Sequence, residues 1–308
     1  MTDPAIAFAH AYDTRFRKLT ARLSHSEIPL FRAMQDALIG LSGRFDVEEY
    51  HGTAHQVGFA GNGSYARTNA RCELSDLMIV IFNSVTRSAR LTYLQAKSER
   101  ATLPSVCGRE FSANLEQWFL LDQRPPITGF GKFSPPIDLL SSALLPSIGS
   151  FAFFYKDSIG DFQTYYASAN YLEPPKAYSQ RYGKLQAKGP CGVTKSGIYA
   201  ECSAACDNRS FAESLFRLEI GTPIDLSVYQ AVSTRNWLSA NLRGRVIEAQ
   251  QSDTSSALAQ ELLELLGSDG NGSSNSSLGA KRLIIIKSNA EPNNRLDPSF
   301  PRPVRRLG

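Results

Sequence analysis

Two apolar segments joined by a polar turn constrain the fold of this chain more than any other feature. Residues 77–82 read LMIVIF, and RLTYLQAK follows after the turn-like stretch NSVTRSA. Short runs rich in β-branched and other apolar residues, bounded by turn signals, are typical of buried β-strands. We therefore predict two neighbouring strands joined by a short loop.

Polar side chains lie at one end of this predicted strand pair. Asp76 begins the first strand, and Gln95 and Lys97 end the second. Because strand side chains alternate, Gln95 and Lys97 share a face, and antiparallel pairing places Asp76 beside them. The Asp76 carboxylate, the Gln95 amide oxygen and the backbone carbonyl of Ala96 are ligands of the kind that Mg²⁺ prefers, and Lys97 can orient an attacking water. The pattern predicts a Mg²⁺ (or Mn²⁺) site suited to phosphodiester hydrolysis.

An acidic residue at the head of an apolar strand, a hairpin, and Q-x-K at the end of the next strand together resemble the PD-(D/E)XK nuclease superfamily in its Q-x-K variant. The resemblance covers roughly residues 25–120, and its motif is short. It implies a restriction-endonuclease-like fold of the α/β (α+β) class, in which a mixed sheet is flanked by helices. It also implies an Mg²⁺-dependent (endo)deoxyribonuclease with a prokaryotic restriction or anti-phage defence role, whose catalytic residues would be Asp76, Gln95 and Lys97.

The sequence departs from the commonest pattern of that superfamily at two positions. Gln95 stands where a second carboxylate is usual, and Ser75 rather than proline precedes Asp76. A less negative site needs a further acid to hold a metal firmly. Glu73 is the first candidate for this catalytic role, although a regular strand would point it away from Asp76. The other candidates are Glu27, Glu48 and Glu49.

Gln95 also keeps a second class of function open, a nuclease-like binding subunit of a defence complex that has lost catalysis. Taken singly, each residue also has a structural interpretation: Asp76 can cap a turn, Gln95 can face solvent and Lys97 can end a strand. Their joint occurrence after two apolar strands favours the nuclease. A third candidate function is that of an unrelated hydrolase, but the sequence contains no G-x-S-x-G motif.

The remaining sequence predicts further elements around this core. We expect a nuclease core over residues 1–120, a substrate- or partner-recognition extension of strands and helices packed on it over 121–289, and a basic proline-rich tail over 290–308. The stretch from Pro174 to Cys206 is rich in Gly, Lys, Tyr and Pro and is interpreted as loops. The predicted helices are 26–43, 112–123, 210–220 and 255–267, and the further strands are 56–59, 150–157, 162–172 and 281–289.

Charge and composition bear on partners and location. A net charge of +4 tolerates DNA as a partner without requiring it. No apolar run reaches the length of a membrane span and no secretion signal begins the chain, so we expect a cytoplasmic protein without a membrane partner. GFAGNG lacks the Lys-Ser/Thr of a phosphate-binding loop. The superfamily resemblance then implies a separate helicase or ATPase as a possible partner. A homo-oligomer is also a candidate.

Two residue types carry weaker predictions. Five scattered cysteines argue against a disulfide framework and against a structural zinc. Six tyrosines are interleaved with lysines and arginines, a pattern equally consistent with DNA contact and with an ordinary β-rich core. They are Tyr165, Tyr166, Tyr171, Tyr178, Tyr182 and Tyr199.

Overall fold

The computed structural model describes residues 2–42, 56–102, 110–131, 133–176, 181–249, 255–267 and 280–290, which form six helices and fourteen strands. The helices are α1 (Pro4–Thr20), α2 (Glu27–Ser42), α3 (Leu115–Gln123), α4 (Asn208–Phe216), α5 (Val232–Ala249) and α6 (Ser255–Leu265). The first seven strands are β1 (Gln56–Phe59), β2 (Ala70–Glu73), β3 (Ser75–Asn83), β4 (Ser88–Thr102), β5 (Glu110–Asn114), β6 (Thr128–Gly129) and β7 (Gly149–Lys156). The others are β8 (Phe162–Ser168), β9 (Leu172–Glu173), β10 (Tyr182–Ala187), β11 (Gly192–Ser196), β12 (Tyr199–Ala205), β13 (Thr222–Pro223) and β14 (Ala280–Lys287).

A mixed sheet of eight strands forms the centre of the molecule. Its order is β11-β12-β8-β7-β4-β3-β14, with β13 paired to β4. The predicted hairpin is present, because β3 and β4 pair antiparallel; β7 lies parallel to β4 and β14 parallel to β3. Two three-stranded sheets, β2-β1-β6 and β5-β10-β9, accompany it. The predicted fold class, α/β with a mixed sheet flanked by helices, is confirmed.

Both faces of this sheet are buried, which explains the unbroken apolar run in the sequence. Met78 and Val80 enter a core shared with α3, α5 and α6. Leu77 and Ile79 enter a second core, shared with α1, α2 and α4. Side chains of a strand alternate between faces, so a strand covered on both sides needs apolar residues at every position.

The helix predictions agree with the structure, and two helices were not predicted. The predicted helices correspond to α2, α3, α4 and α6. Asn114 sets the start of α3 by accepting a hydrogen bond from the Glu116 backbone N–H at 3.0 Å, and Gly267 follows α6 with a φ of +64°. The unpredicted helices are α1 and α5. Within the described ranges, no helix combines the length and the apolar character needed to cross a bilayer.

Two sequence predictions are wrong in the segment from Pro174 to Cys206. The segment predicted as loops contains β10, β11 and β12. Cys191 and Cys206 form a disulfide with a Cα–Cα distance of 6.0 Å, against the prediction of idle thiols. The β11–β12 hairpin produces this proximity, because it returns the chain to its starting point. The two strands meet through a two-residue turn, because Ser196 pairs with Tyr199, and the polar residues of β11 gave no apolar run from which the strand could be predicted.

Several predicted features lie outside the described residues. They are Glu48, Glu49, Tyr178 and residues 291–308 of the basic tail.

Candidate active site

The hairpin register places two of the predicted site residues opposite each other. Leu77 of β3 pairs with Leu94 of β4, and continuing this register by one residue sets Asp76 against Gln95. Lys97 lies two residues further along β4 and therefore on the same face as Gln95. Asp76 and Gln95 are buried, with 5% and 0% of their surface exposed. The strand pair thus assembles an acid, an amide and a lysine at one end.

The Gln95 amide braces the junction between two sheets. Its Nε2 donates to the backbone carbonyl of Leu74 at 3.1 Å and to that of Glu73 at 3.4 Å. Leu74 is the bend at which the chain leaves the small sheet of β2 and enters β3. The other end of the amide, Oε1, is buried and has no hydrogen-bond partner among the described residues. A glutamate here would have no N–H to donate to the bend.

The Asp76 carboxylate binds the neighbouring strand. Its Oδ2 accepts a hydrogen bond from the backbone N–H of Ala96 at 2.9 Å. The contact between Asp76 and Ala96 therefore involves the amide nitrogen of Ala96, whereas the sequence pattern predicts the Ala96 carbonyl oxygen as a metal ligand. Next to it, the Ser75 hydroxyl is buried and unpaired within the described part of the chain.

Glu73 and Glu27 differ in how they approach this site. Glu73 ends β2, and its backbone carbonyl is the part that contacts the Gln95 amide. Glu27 is the first residue of α2, and its Oε1 lies 3.9 Å from Lys97 Nζ. The lysine side chain is 16% exposed and the glutamate side chain 44% exposed. Of the four acids that the sequence offered, Glu27 is the one whose carboxylate faces Lys97 in the described residues.

Lys97 and Glu27 open into a cleft of about 640 Å³, whereas Asp76 and Gln95 are buried deeper along the same strand pair. Four segments of the chain form the walls of the cleft: α2, β4, the continuous segment of β5 and α3, and β10. The lining residues are Glu27, Lys97, Ser98, Ser112, Ala113, Asn114, Gln117, Tyr182, Gly183 and Lys184.

A buried carboxylate beside the cleft holds two arginines. Glu116 Oε1 lies 2.6 Å from Arg67 Nε, and Glu116 Oε2 lies 3.0 Å from Arg181 Nε. The Arg181 guanidinium in turn lies 5.8 Å from the centre of the Tyr182 ring. The ion pair with a buried carboxylate restricts the position of Arg181, which precedes the cleft-lining Tyr182.

The other reactive or aromatic candidates divide clearly by exposure. Tyr165 and Tyr166 are core residues, whereas Tyr182 is 65% exposed.

Burial raises the pKa of the Cys72 thiol and that of the Cys202 thiol to about 12 in each case. These two thiols therefore stay protonated near neutral pH and are poor nucleophiles and poor metal ligands.

The donor set at Asp76 and Gln95 fits a hard cation in its chemistry. No group of three His, Cys, Asp or Glu side chains converges among the described residues. Mg²⁺ nevertheless needs only one or two carboxylates when waters and substrate oxygens complete its shell. Asp76 supplies a carboxylate, and the Gln95 Oε1 supplies a buried oxygen that lacks another partner in the described ranges.

The description of Asp76, Gln95, Lys97 and Glu27 as a site rests on their positions in this structure. No family model, no curated protein and no solved structure matches this chain.

Proposed function

We propose that this protein is a metal-dependent nuclease that hydrolyses DNA phosphodiester bonds. The observation that supports this most is the meeting of Lys97 and Glu27 at the cleft, directly beyond the buried pair Asp76 and Gln95. An ammonium group at an open cleft, close to a buried carboxylate and to the Gln95 Oε1, suits a phosphodiester better than an apolar substrate.

Each side chain has a distinct role in this proposal. Asp76 and the Gln95 Oε1 would hold Mg²⁺ or Mn²⁺, which when bound lowers the pKa of its water and polarises the phosphoryl oxygen. Lys97 orients the attacking water and offsets the charge that develops on the phosphate. Glu27, whose Oε1 lies 3.9 Å from Lys97 Nζ, faces that lysine across the cleft wall and gives way to the substrate phosphate.

The biological setting of the proposal comes from the superfamily resemblance alone. A restriction or anti-phage defence role in a prokaryote would follow from it. A helicase or ATPase partner would supply the nucleotide-driven step for which the sequence of this chain has no phosphate-binding loop motif.

Cleavage of supercoiled plasmid DNA in millimolar Mg²⁺ tests the reaction. We expect the native chain to nick or linearise the plasmid, and Lys97→Ala to reduce the rate by at least about 100-fold, the usual loss when a transition-state charge partner is removed. Lys195→Ala is the matched control, because Lys195 is an exposed lysine on the edge strand β11. Full cutting by Lys97→Ala would remove Lys97 from the site.

The metal assignment is tested by binding of Mn²⁺, followed by electron paramagnetic resonance. Asp76→Asn keeps an oxygen that can accept from the Ala96 N–H but loses the negative charge. We expect this variant to fold as the native chain does and to bind Mn²⁺ at least about tenfold more weakly, because the site loses its carboxylate ligand. Unchanged Mn²⁺ affinity would show that the metal binds elsewhere.

A second candidate is a binding subunit with this fold and no catalysis. It is favoured by the contacts that already occupy the Asp76 carboxylate and the Gln95 Nε2, both of which bind backbone groups. Firm DNA or partner association by a native chain that neither binds Mn²⁺ nor cuts DNA would establish this function instead of the first.

A further inference from the structure

One wall of the cleft is a short two-stranded surface that carries an exposed aromatic ring and an ammonium group. Tyr182 of β10 pairs with Asn114 of β5, and Lys184 pairs with Ser112. Residues two apart on a strand share a face, so Tyr182 and Lys184 lie side by side, and all four of these residues line the cleft. The next residue, Leu185, is buried on the opposite face.

Tyr182 is placed like a stacking platform. The residue is 65% exposed although it lines a cleft, and the Arg181 guanidinium lies 5.8 Å from the centre of its ring. Arg181 is held by the buried Glu116 at 3.0 Å, so the arginine beside the ring is fixed by the fold. Every nucleobase has a π face that can stack on such a ring, whatever the sequence.

The two lysines of the cleft are held by weak ion pairs. Lys184 Nζ lies 3.4 Å from Glu99 Oε2 and 2.7 Å from the Ser112 hydroxyl. Lys97 Nζ lies 3.9 Å from Glu27. Partly exposed pairs at such distances contribute little free energy, so a phosphate can take the place of the carboxylate at either lysine. The Ser98 hydroxyl, which also lines the cleft, is buried without a hydrogen-bond partner in the described part of the chain.

The size of the cleft favours an unpaired nucleotide over a nucleic-acid duplex. About 640 Å³ lies within the range of small-ligand pockets, roughly 300–1,000 Å³. A cleft of this volume is on the scale of a small ligand such as a nucleotide and not of a duplex. A base inside a duplex can reach a side chain in such a pocket only after it leaves the stack, which requires unpairing energy.

We infer that Tyr182 and Lys184 form a subsite for an unpaired nucleotide, in which the base stacks on Tyr182 and the adjoining phosphate contacts Lys184. Single-stranded DNA, or an unpaired end or flap, is then the preferred ligand of the cleft. This inference rests on the proposed function for its choice of nucleic acid, and it adds the form of the substrate.

Fluorescence anisotropy with a labelled oligo-dT and with a blunt duplex, both in EDTA, measures binding without cleavage. We expect the native chain to favour oligo-dT, and Tyr182→Ala to weaken that binding by about 5- to 150-fold, the range for loss of one base–aromatic stack. Tyr182→Phe, which keeps the ring, should stay within about twofold of the native chain. Tyr229→Ala is the matched control, since Tyr229 is 86% exposed and does not line the cleft.

The outcomes separate this inference from the proposed function. Equal binding of oligo-dT by the native chain and Tyr182→Ala, or a preference for duplex, would overturn the subsite, even if Lys97-dependent plasmid cutting persists. The expected binding losses without any plasmid cutting would support the subsite and reject the nuclease.

Discussion

At the scale of single residues, Gln95 best explains how this site is built. The two ends of its amide differ. The Nε2 donates a hydrogen bond to the backbone carbonyl at the Leu74 bend, and the Oε1 is buried without a hydrogen-bond partner among the described residues. An amide can donate to a backbone carbonyl and at the same time offer a neutral oxygen, whereas an ionised carboxylate has no hydrogen to donate. The hydrogen bond from Nε2 to the Leu74 carbonyl therefore gives a structural reason for an amide rather than a carboxylate at this position.

Replacing Gln95 by glutamate tests this explanation. The variant loses a donor to two backbone carbonyls and buries a negative charge beside Asp76, so we expect the free energy of unfolding to fall by about 2 kcal/mol or more at pH 8. The loss should shrink as the pH decreases toward 5, because a protonated glutamate regains one O–H donor. Urea unfolding at the two pH values measures the difference.

The same change at Gln260 is the control for the Gln95 variant. Gln260 is exposed on α6, and a substitution there should alter stability by no more than about 0.5 kcal/mol. If Gln95→Glu is as stable as the native chain at pH 8, the amide does not brace the bend, and a carboxylate is tolerated at this position.

The sequence predicted the local part of the site and not the long-range part. Asp76, Gln95 and Lys97 lie within one hairpin, so strand alternation and a short turn suffice to bring them together. Glu27 could not be selected from the other acids, because its approach to Lys97 depends on how α2 packs against the sheet. The sequence around Glu27 does not indicate how α2 is oriented against the sheet.

At the scale of elements, the β11–β12 hairpin is the least anticipated feature. Its sequence, with Gly192, Thr194 and Lys195 at exposed positions, lacks the apolar runs that identified β3 and β7. An edge strand with few core contacts can be polar, because half of its surface faces water. Interior strands can be predicted from their apolar composition. The edge strand β11 is recognised only from its pairing with β12.

The disulfide at this hairpin should contribute measurably to stability. It closes a loop between cysteines 15 residues apart, and Tyr155 donates a hydrogen bond to the Cys206 carbonyl at 2.7 Å. We expect the double variant Cys191→Ala and Cys206→Ala to lose about 3 kcal/mol of unfolding free energy through the added chain entropy of the unfolded state. Urea unfolding with and without a reducing agent measures it.

Reduction of the native chain provides the control for the disulfide. The native chain should lose stability in the reducing agent, and the double variant should show no further change. Alkylation of Cys191 and Cys206 under denaturing, non-reducing conditions would contradict the pairing, because a disulfide protects both thiols.

At the scale of the whole molecule, the two halves of the sequence share one sheet. β4, from the predicted nuclease core, is hydrogen-bonded on one side to β3 and on the other to β7, which belongs to the predicted extension. β14, near the end of the described chain, covers the other edge of β3. Both hydrophobic cores also draw residues from both halves, including Phe151 and Phe154 of β7.

A chain cut after residue 120 should therefore not fold. It would expose both outer edges of the β3–β4 pair and lose the apolar side chains that β7, β8 and β14 add to the two cores, and an isolated pair of strands is at best marginally stable in water. We expect residues 1–120 to show no cooperative urea transition by circular dichroism. A chain ending at residue 290 keeps all the described elements and serves as the control, for which we expect one cooperative transition. Cooperative unfolding of residues 1–120 would mean that the hairpin with Asp76, Gln95 and Lys97 forms an independent unit, and that the later strands were added to a core already stable without them.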